Sequence, residues 1–206
     1  MSEPLKVDVY FDYVCPYVNA AAKWIDEINR QLGDNGVEFN WRFFPLEQVN
    51  APADIEEKVW ELPPENRSQA RNSMHAAIAA MRQSDDAFKR FNLELLSLKH
   101  DQGKDHGKRA TLEEAAAAAG LDLDRFRADL EDRSLLTRIR DDYQEGRERY
   151  GVFGTPTFVI PGGESAYLQV LPAPPAEDAV PLWNDFVAGV RDRPYLREIK
   201  RPRRPS

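Results

Sequence analysis

Residues 7–32 read "VDVYFDYVCPYVNAAAKWIDEINRQL", and the hydrophobic period changes inside that stretch. Up to Tyr13 the pattern has a period of two: Val7, Val9, Phe11 and Tyr13 alternate with Asp8, Tyr10 and Asp12. With β-branched and aromatic side chains, this predicts a strand with one face in the core. From Tyr17 onward, Ala21, Trp24, Ile25, Ile28 and Leu32 fall at helical spacing on one face. Gly33 ends the helix. The change happens at Cys15-Pro16. Proline suits a first helical turn, because the N–H it lacks would have no partner there. Cys15 is the only cysteine of the chain. It stands where a strand hands over to a helix, and Val18 lies one turn further on, where a second cysteine could face it.

After the turn "GDNG", the segment "VEFNWRF" (37–43) alternates Val37, Phe39, Trp41 and Phe43 against Glu38, Asn40 and Arg42, and Pro45 ends it. The first 45 residues therefore read β-α-β, for which parallel pairing and a right-handed crossover are expected. From about Pro63 to Tyr150 no strand pattern appears. "SQARNSMHAAIAAMRQSDDAFKRFNLELLSLKHDQG" is apolar at helical spacing. "TLEEAAAAAG" reads as a helix opened by a capping box, Thr111 with Glu114, and closed by Gly120. "DLDRFRADLEDRS" and "SLLTRIRDDYQEGRERYG" add a short helix and a longer one. Strand signals return in "GTPTFVI" and, after a "PGG" turn, in "AYLQVL"; "AVPLWNDFVAGV" reads as a last helix. The order is β-α-β, helical block, β-β-α. The division expected from it is 1–51 and 151–190 for the sheet-bearing domain, 52–150 for an all-helical insertion, and 191–206 for a basic tail.

A chain of 206 residues with 42% hydrophobic and 31% charged residues is a globular composition with enough length for one sizeable core. No apolar run approaches the roughly 20 residues of a membrane helix. The N-terminus has neither the basic start nor the apolar stretch of a signal peptide, and one cysteine permits no internal disulfide. These features point to the cytoplasm and to no membrane partner. Of the net charge of −7, the last sixteen residues contribute +5, so the rest of the chain carries −12. An acidic body argues against nucleic acid. The tail reads as a solvated end, or as a contact with an acidic surface.

Order and motifs together resemble the thioredoxin superfamily and, within it, the DsbA family. "FDYVCPYV" is similar to that family's active-site corner. "GVFGTPTFVI" is similar to the loop carrying its cis-proline, and the helical block lies between the two as it does there. The resemblance covers the chain to about residue 190. It implies an α/β thioredoxin-like fold and a nucleophilic Cys15 in a corner made by Pro16, Tyr17 and Val18. It also implies a cis Thr155-Pro156 bond whose backbone, at Thr155 and Pro156, receives a small thiol or a peptide-like substrate. One departure matters. Dithiol members have Cys-Pro-x-Cys, and the kappa-type glutathione transferases and hydroxychromene-carboxylate isomerases usually carry serine first; this chain has Cys15 with Val18.

A helix N-terminus stabilises a thiolate through its unpaired N–H groups and dipole, so the Cys15 thiol is expected to titrate below the free value of about 8.5. Alone, such a thiol can attack a disulfide or an electrophile but cannot resolve its own mixed disulfide. The first expectation is a monothiol DsbA-like thiol–disulfide oxidoreductase, with glutathione or an equivalent small thiol as co-substrate and no tightly bound cofactor. Its partners would be that thiol and a disulfide-containing or electrophilic substrate; a homodimer stays open. The alternatives are a kappa-type transferase or isomerase, where the corner activates bound glutathione, and a non-catalytic binding module.

Other polar residues carry less. "KHDQGKDHG" brings His100, Asp101, Asp105 and His106 close in sequence, but its glycines break a helix, and it reads as a solvated loop and not a metal site. His75 reads as a packing or surface histidine. Asp12 either holds the turn before Cys15 or accepts a proton near it.

Overall fold

A computed structural model describes residues 3–33, 36–52, 55–162 and 164–201. Four strands form one sheet in the order β2-β1-β3-β4: β1 (Leu5–Phe11), β2 (Val37–Phe43), β3 (Thr157–Val159) and β4 (Ser165–Tyr167). β1 pairs parallel with β2, Val7 opposite Phe39 and Phe11 opposite Phe43. This is the pairing expected of a helical crossover. Through β3, antiparallel to β1 with Val9 opposite Phe158, the second half of the chain joins the same sheet. Asp34 and Asn35 of the first expected turn, and Gly163 of the second, lie outside the described residues.

The crossover is α1 (Pro16–Leu32), closed by Gly33 at φ 62°. Its Trp24 packs on Phe158 and Trp183, and its indole N–H donates to the Ala179 carbonyl at 2.8 Å. α1 is thereby fixed between the sheet and α8 (Ala176–Arg191), whose Trp183 also meets Phe39. The opposite sheet face is covered too. α7 (Thr137–Tyr150) crosses it, and Gly146 sits so close to Tyr10 that a Cβ there would lie 2.7 Å from the ring. Tyr10, on the face that alternation leaves to solvent, is therefore completely buried; Asp12, just past the strand, is completely buried as well, with its carboxylate on the Leu46 amide. β1 lies inside the sheet and is covered on both sides.

Between β2 and β3 the described residues form only helices and turns. α2 (Leu46–Val49) is one turn long. α3 (Gln69–Met81) and α4 (Asp85–His100) are capped by Ser68 and Ser84, whose hydroxyls accept from Arg71 N and Ala87 N, both at 3.0 Å. α6 (Leu123–Glu131) is capped by Asp122 and followed by a 3₁₀ turn, Arg133–Leu136. The capping box expected at Thr111 is not formed. α5 (Arg109–Ala118) begins earlier, Thr111 is buried inside it, and Glu114 pairs with Lys104. Arg109 and Ala110 are good helix formers, and packing of Thr111 and Leu112 prevails over the local cap signal. α8 likewise starts three residues before the expected "AVPLW" run, with Glu177 and Asp178 in its first turn. The tail is exposed as far as residue 201, with an Arg197–Glu164 ion pair at 3.1 Å; the rest lies outside the described residues.

The supposed solvated loop after α4 is also different. His106 is completely buried, and neither ring nitrogen has a hydrogen-bond partner among the described residues. Asp105 folds this loop onto α3 by accepting from Gln69 Nε2 and Gly107 N, each at 3.0 Å. Among the described residues no His/Cys/Asp/Glu group has metal-binding geometry, and no helix is long and apolar enough to cross a membrane. His75 is buried, its Nε2 at 3.1 Å from the Asp132 carbonyl.

Candidate active site

Cys15 is the N-cap of α1, in extended backbone at φ −81° and ψ 119°, with Pro16 at the first helical position. Its amide donates to the Asp12 carbonyl at 3.1 Å, and its own carbonyl accepts from Val18 N at 3.1 Å. One tight turn and the first helical turn thus meet at this residue. The thiol donates to the Thr155 carbonyl at 3.2 Å, across 140 residues of sequence. Thr155-Pro156 is cis. The two motifs that lie far apart in the chain are brought together at one sulfur. Only 6% of Cys15 is exposed, and Val18 is fully buried.

Among the residues singled out from sequence, Pro16 is exposed and Tyr17 half-buried. Thr155 and Pro156 are buried, and the Thr155 hydroxyl has no partner among the described residues. The loop is anchored from both ends. Thr157 Oγ1 donates to the Gly154 carbonyl at 2.7 Å, and Leu168 N donates to the Pro156 carbonyl at 3.3 Å.

Asp12 takes the first of its two expected roles. Its carboxylate accepts from Val14 N at 3.1 Å through one oxygen and from Leu46 N at 2.7 Å through the other. Both oxygens hold backbone, so the side chain ties the corner to the start of α2. Burial pushes its carboxyl up to about 6, against the lowering effect of those two amides, and Glu47 adds to the rise. Glu47 in turn accepts from Ser68 Oγ at 2.8 Å, continuing the link to the cap of α3. The helical block reaches the corner a second time through His100, whose Nε2 donates to the Tyr13 carbonyl at 2.8 Å. Burial lowers the pKa of this imidazole.

Two further aromatic residues belong to the site. Phe153 and Tyr167 pack with ring centroids 5.1 Å apart, and they are 62% and 39% exposed, which leaves an open aromatic face beside the cis-proline loop. Tyr167 is held up in pKa first by burial and then by the nearby Cys15 and Tyr17. Gly154 lies under its ring, where a Cβ would come within 3.3 Å. The expected strand "AYLQVL" has Tyr167 as its second residue, with four more strand residues after it. The strand ends there instead, and a second cis bond, Leu171-Pro172, follows. Only the glycine before Thr155-Pro156 hinted that something large packs on the loop.

Comparison with known proteins agrees with this geometry. A model of the "DSBA-like thioredoxin domain" family matches residues 6–179. The Mycobacterium tuberculosis protein Rv2286c is 30% identical over 214 aligned positions, covering 97% of this chain and 83% of that one. A solved structure of 2-hydroxychromene-2-carboxylate isomerase superposes with a TM-score of 0.63 at 16% identity, covering 94% of this chain and all of the other. Reduced DsbA1 from Neisseria meningitidis superposes with a TM-score of 0.58 at 15% identity, covering 96% and 90%. At such identities the two structures speak to fold alone. The family match runs from β1 into α8 and takes in the corner, the helical block and the cis-proline loop. The chain belongs to the DsbA-like thioredoxin family.

Proposed function

We propose that the protein is a monothiol thiol–disulfide oxidoreductase with Cys15 as nucleophile and glutathione or an equivalent small thiol as co-substrate. The observation that carries this reading is the placement of the only cysteine. It caps α1, its sulfur lies 3.2 Å from the Thr155 carbonyl, and buried Val18 stands where a resolving cysteine would be. The Cys15 thiolate attacks a substrate disulfide, forms a mixed disulfide and releases one substrate thiolate, which takes up a proton. A small thiol then attacks the mixed disulfide as its thiolate. Cys15 is freed, and the small thiol leaves joined to the second half of the substrate. Each disulfide broken is matched by one formed, so no external oxidant is needed. A reducing compartment such as the cytoplasm would supply the small thiol.

A second reading rests on the exposed Phe153–Tyr167 face, which suits a flat, electrophilic aromatic substrate. There the corner would hold and activate a glutathione thiolate without a bond to Cys15, as in a kappa-type transferase or isomerase. Intact-mass measurement after exposure to a panel of oxidised small thiols, with turnover of Cys15→Ser alongside, separates the readings. A single thiol adduct on Cys15 and loss of turnover in the serine variant support the first. Turnover that survives in the serine variant supports the second. No adduct and no turnover leaves a binding module.

A further inference from the structure

β2 is the outermost strand of the sheet, and among the described residues nothing pairs with its free edge. Natural edges of this length are usually guarded by proline, bulges or charged side chains, lysine above all. The seven residues of β2, "VEFNWRF", have no proline and no lysine, and their two charges, Glu38 and Arg42, are of opposite sign. A groove of about 530 Å³ runs along that edge, walled by Ile25 and Asn29 of α1 and by Phe88 and Lys89 of α4. It lies apart from Cys15, Thr155 and Pro156. There is room beside the strand, and the strand's order says what fits.

Read outward from Asn40, the sequence is self-complementary. Phe39 on one side matches Trp41 on the other, Glu38 matches Arg42, and Val37 matches Phe43. In an antiparallel pair of two such strands centred on Asn40, Phe39 faces Trp41, Glu38 faces Arg42, and Val37 faces Phe43, so that apolar meets apolar and acid meets base. A two-fold axis requires this of an isologous interface. Within one chain Glu38 already pairs with Lys6 at 3.7 Å, and Arg42 with Asp142 at 3.2 Å and with Glu145. The seam would join these into one row of alternating charge running from Lys6 and Glu38 of one copy to Arg42 and Asp142 of the other. We propose that the free edge of β2 is the interface with a second copy of this chain, antiparallel and centred on Asn40, so that the two sheets become one.

Residues facing each other across such a seam have Cα atoms about 4.5–5.5 Å apart, within disulfide reach. Introducing Asn40→Cys in a Cys15→Ser background leaves one thiol per chain, and it lies on the axis. Mild oxidation should give a covalent dimer in high yield. Glu38→Cys in the same background should not cross-link to itself, because position 38 faces 42. Light scattering of the unmodified chain should give twice the 23.6 kDa monomer mass. Glu38→Arg, which sets two pairs of like charges across the seam, should weaken association by about tenfold or more. Monomer at every concentration up to about 100 μM, with no cross-link through position 40, would overturn the proposal. Equal cross-linking through 38 and 40 would also overturn it. Far-UV circular dichroism of each variant, with its melting temperature, checks that the fold is kept.

Discussion

Replacing His106 by leucine should change how stability responds to acid. The imidazole is completely buried with no partner on either nitrogen among the described residues, and burial, with Lys99 and His100 adding to it, pushes its pKa from 6.5 down to about 4. In the unfolded chain the ring titrates near its ordinary value. The folded protein therefore binds fewer protons between about pH 6.5 and 4. Its stability is fully present above that window and falls as pH drops through it. The linked free energy is roughly 3 kcal/mol over the whole window and about 2.5 kcal/mol between pH 7 and 4.5. His106→Leu keeps an apolar group of similar size in the site and removes this dependence. Urea denaturation followed by tryptophan fluorescence at pH 7 and near pH 4.5 measures it. Dilute protein is needed because the isoelectric point of about 5.1 lies in the window. His75 and His100 are lowered in the same direction and are present in both proteins, so that His75 cancels in the comparison and His100 does so apart from its coupling to His106. The stability difference between the two pH values should be smaller in the variant by roughly 2–3 kcal/mol. An unchanged difference would mean that the ring is hydrated or protonated in the folded state, and the account of this loop would be wrong.

Asp12→Asn should act with the opposite sign: its carboxyl is raised to about 6 in the fold, so its contribution is present below about pH 3.8 and lost as pH rises to about 6, and removing it steepens the loss of stability in acid. The same variant should also change the rate of Cys15 alkylation on the high-pH plateau, where an ionised thiol needs no base; an unchanged plateau would contradict the positioning role of Asp12. Val18→Cys should place a second sulfur one turn from Cys15, close an internal disulfide and give dithiol activity independent of a small thiol in an insulin reduction assay; failure to close it would refute the assigned geometry of the corner. Gly146→Ala should lower the melting temperature by several degrees, because a Cβ 2.7 Å from the buried Tyr10 ring costs about 1–3 kcal/mol, more than helix propensity returns; a rise would show that the ring can move aside.

How far the sequence revealed this molecule depends on the range of the forces involved. The switch of period at Cys15-Pro16 is local, and it located the end of β1, the start of α1 and the thiol between them. The "GTPTF" loop was likewise readable, and the resemblance it carried brought Thr155 to the sulfur. Burial from two sides was not readable at Tyr10, since alternation reports one covered face, and the second is supplied by α7, more than a hundred residues away. His106 sits among lysines, aspartates and glycines that look solvated. Only the folding of its loop onto α3 through Asp105 encloses it. Tyr167 was hidden for a third reason: the short β4 ends at it, and its partner Phe153 belongs to another segment.

The single sulfur also determines what the protein can register. For any small thiol, capping of Cys15 consumes one molecule of its disulfide and releases one molecule of thiol. At equilibrium the capped fraction depends on the ratio of disulfide to thiol and not on their total concentration. A dithiol closing on itself would release two thiols, and its oxidised fraction would fall as the pool became more concentrated at the same ratio. With valine at position 18, capping of Cys15 under the proposed mechanism would be indifferent to the size of the pool and would follow only its balance.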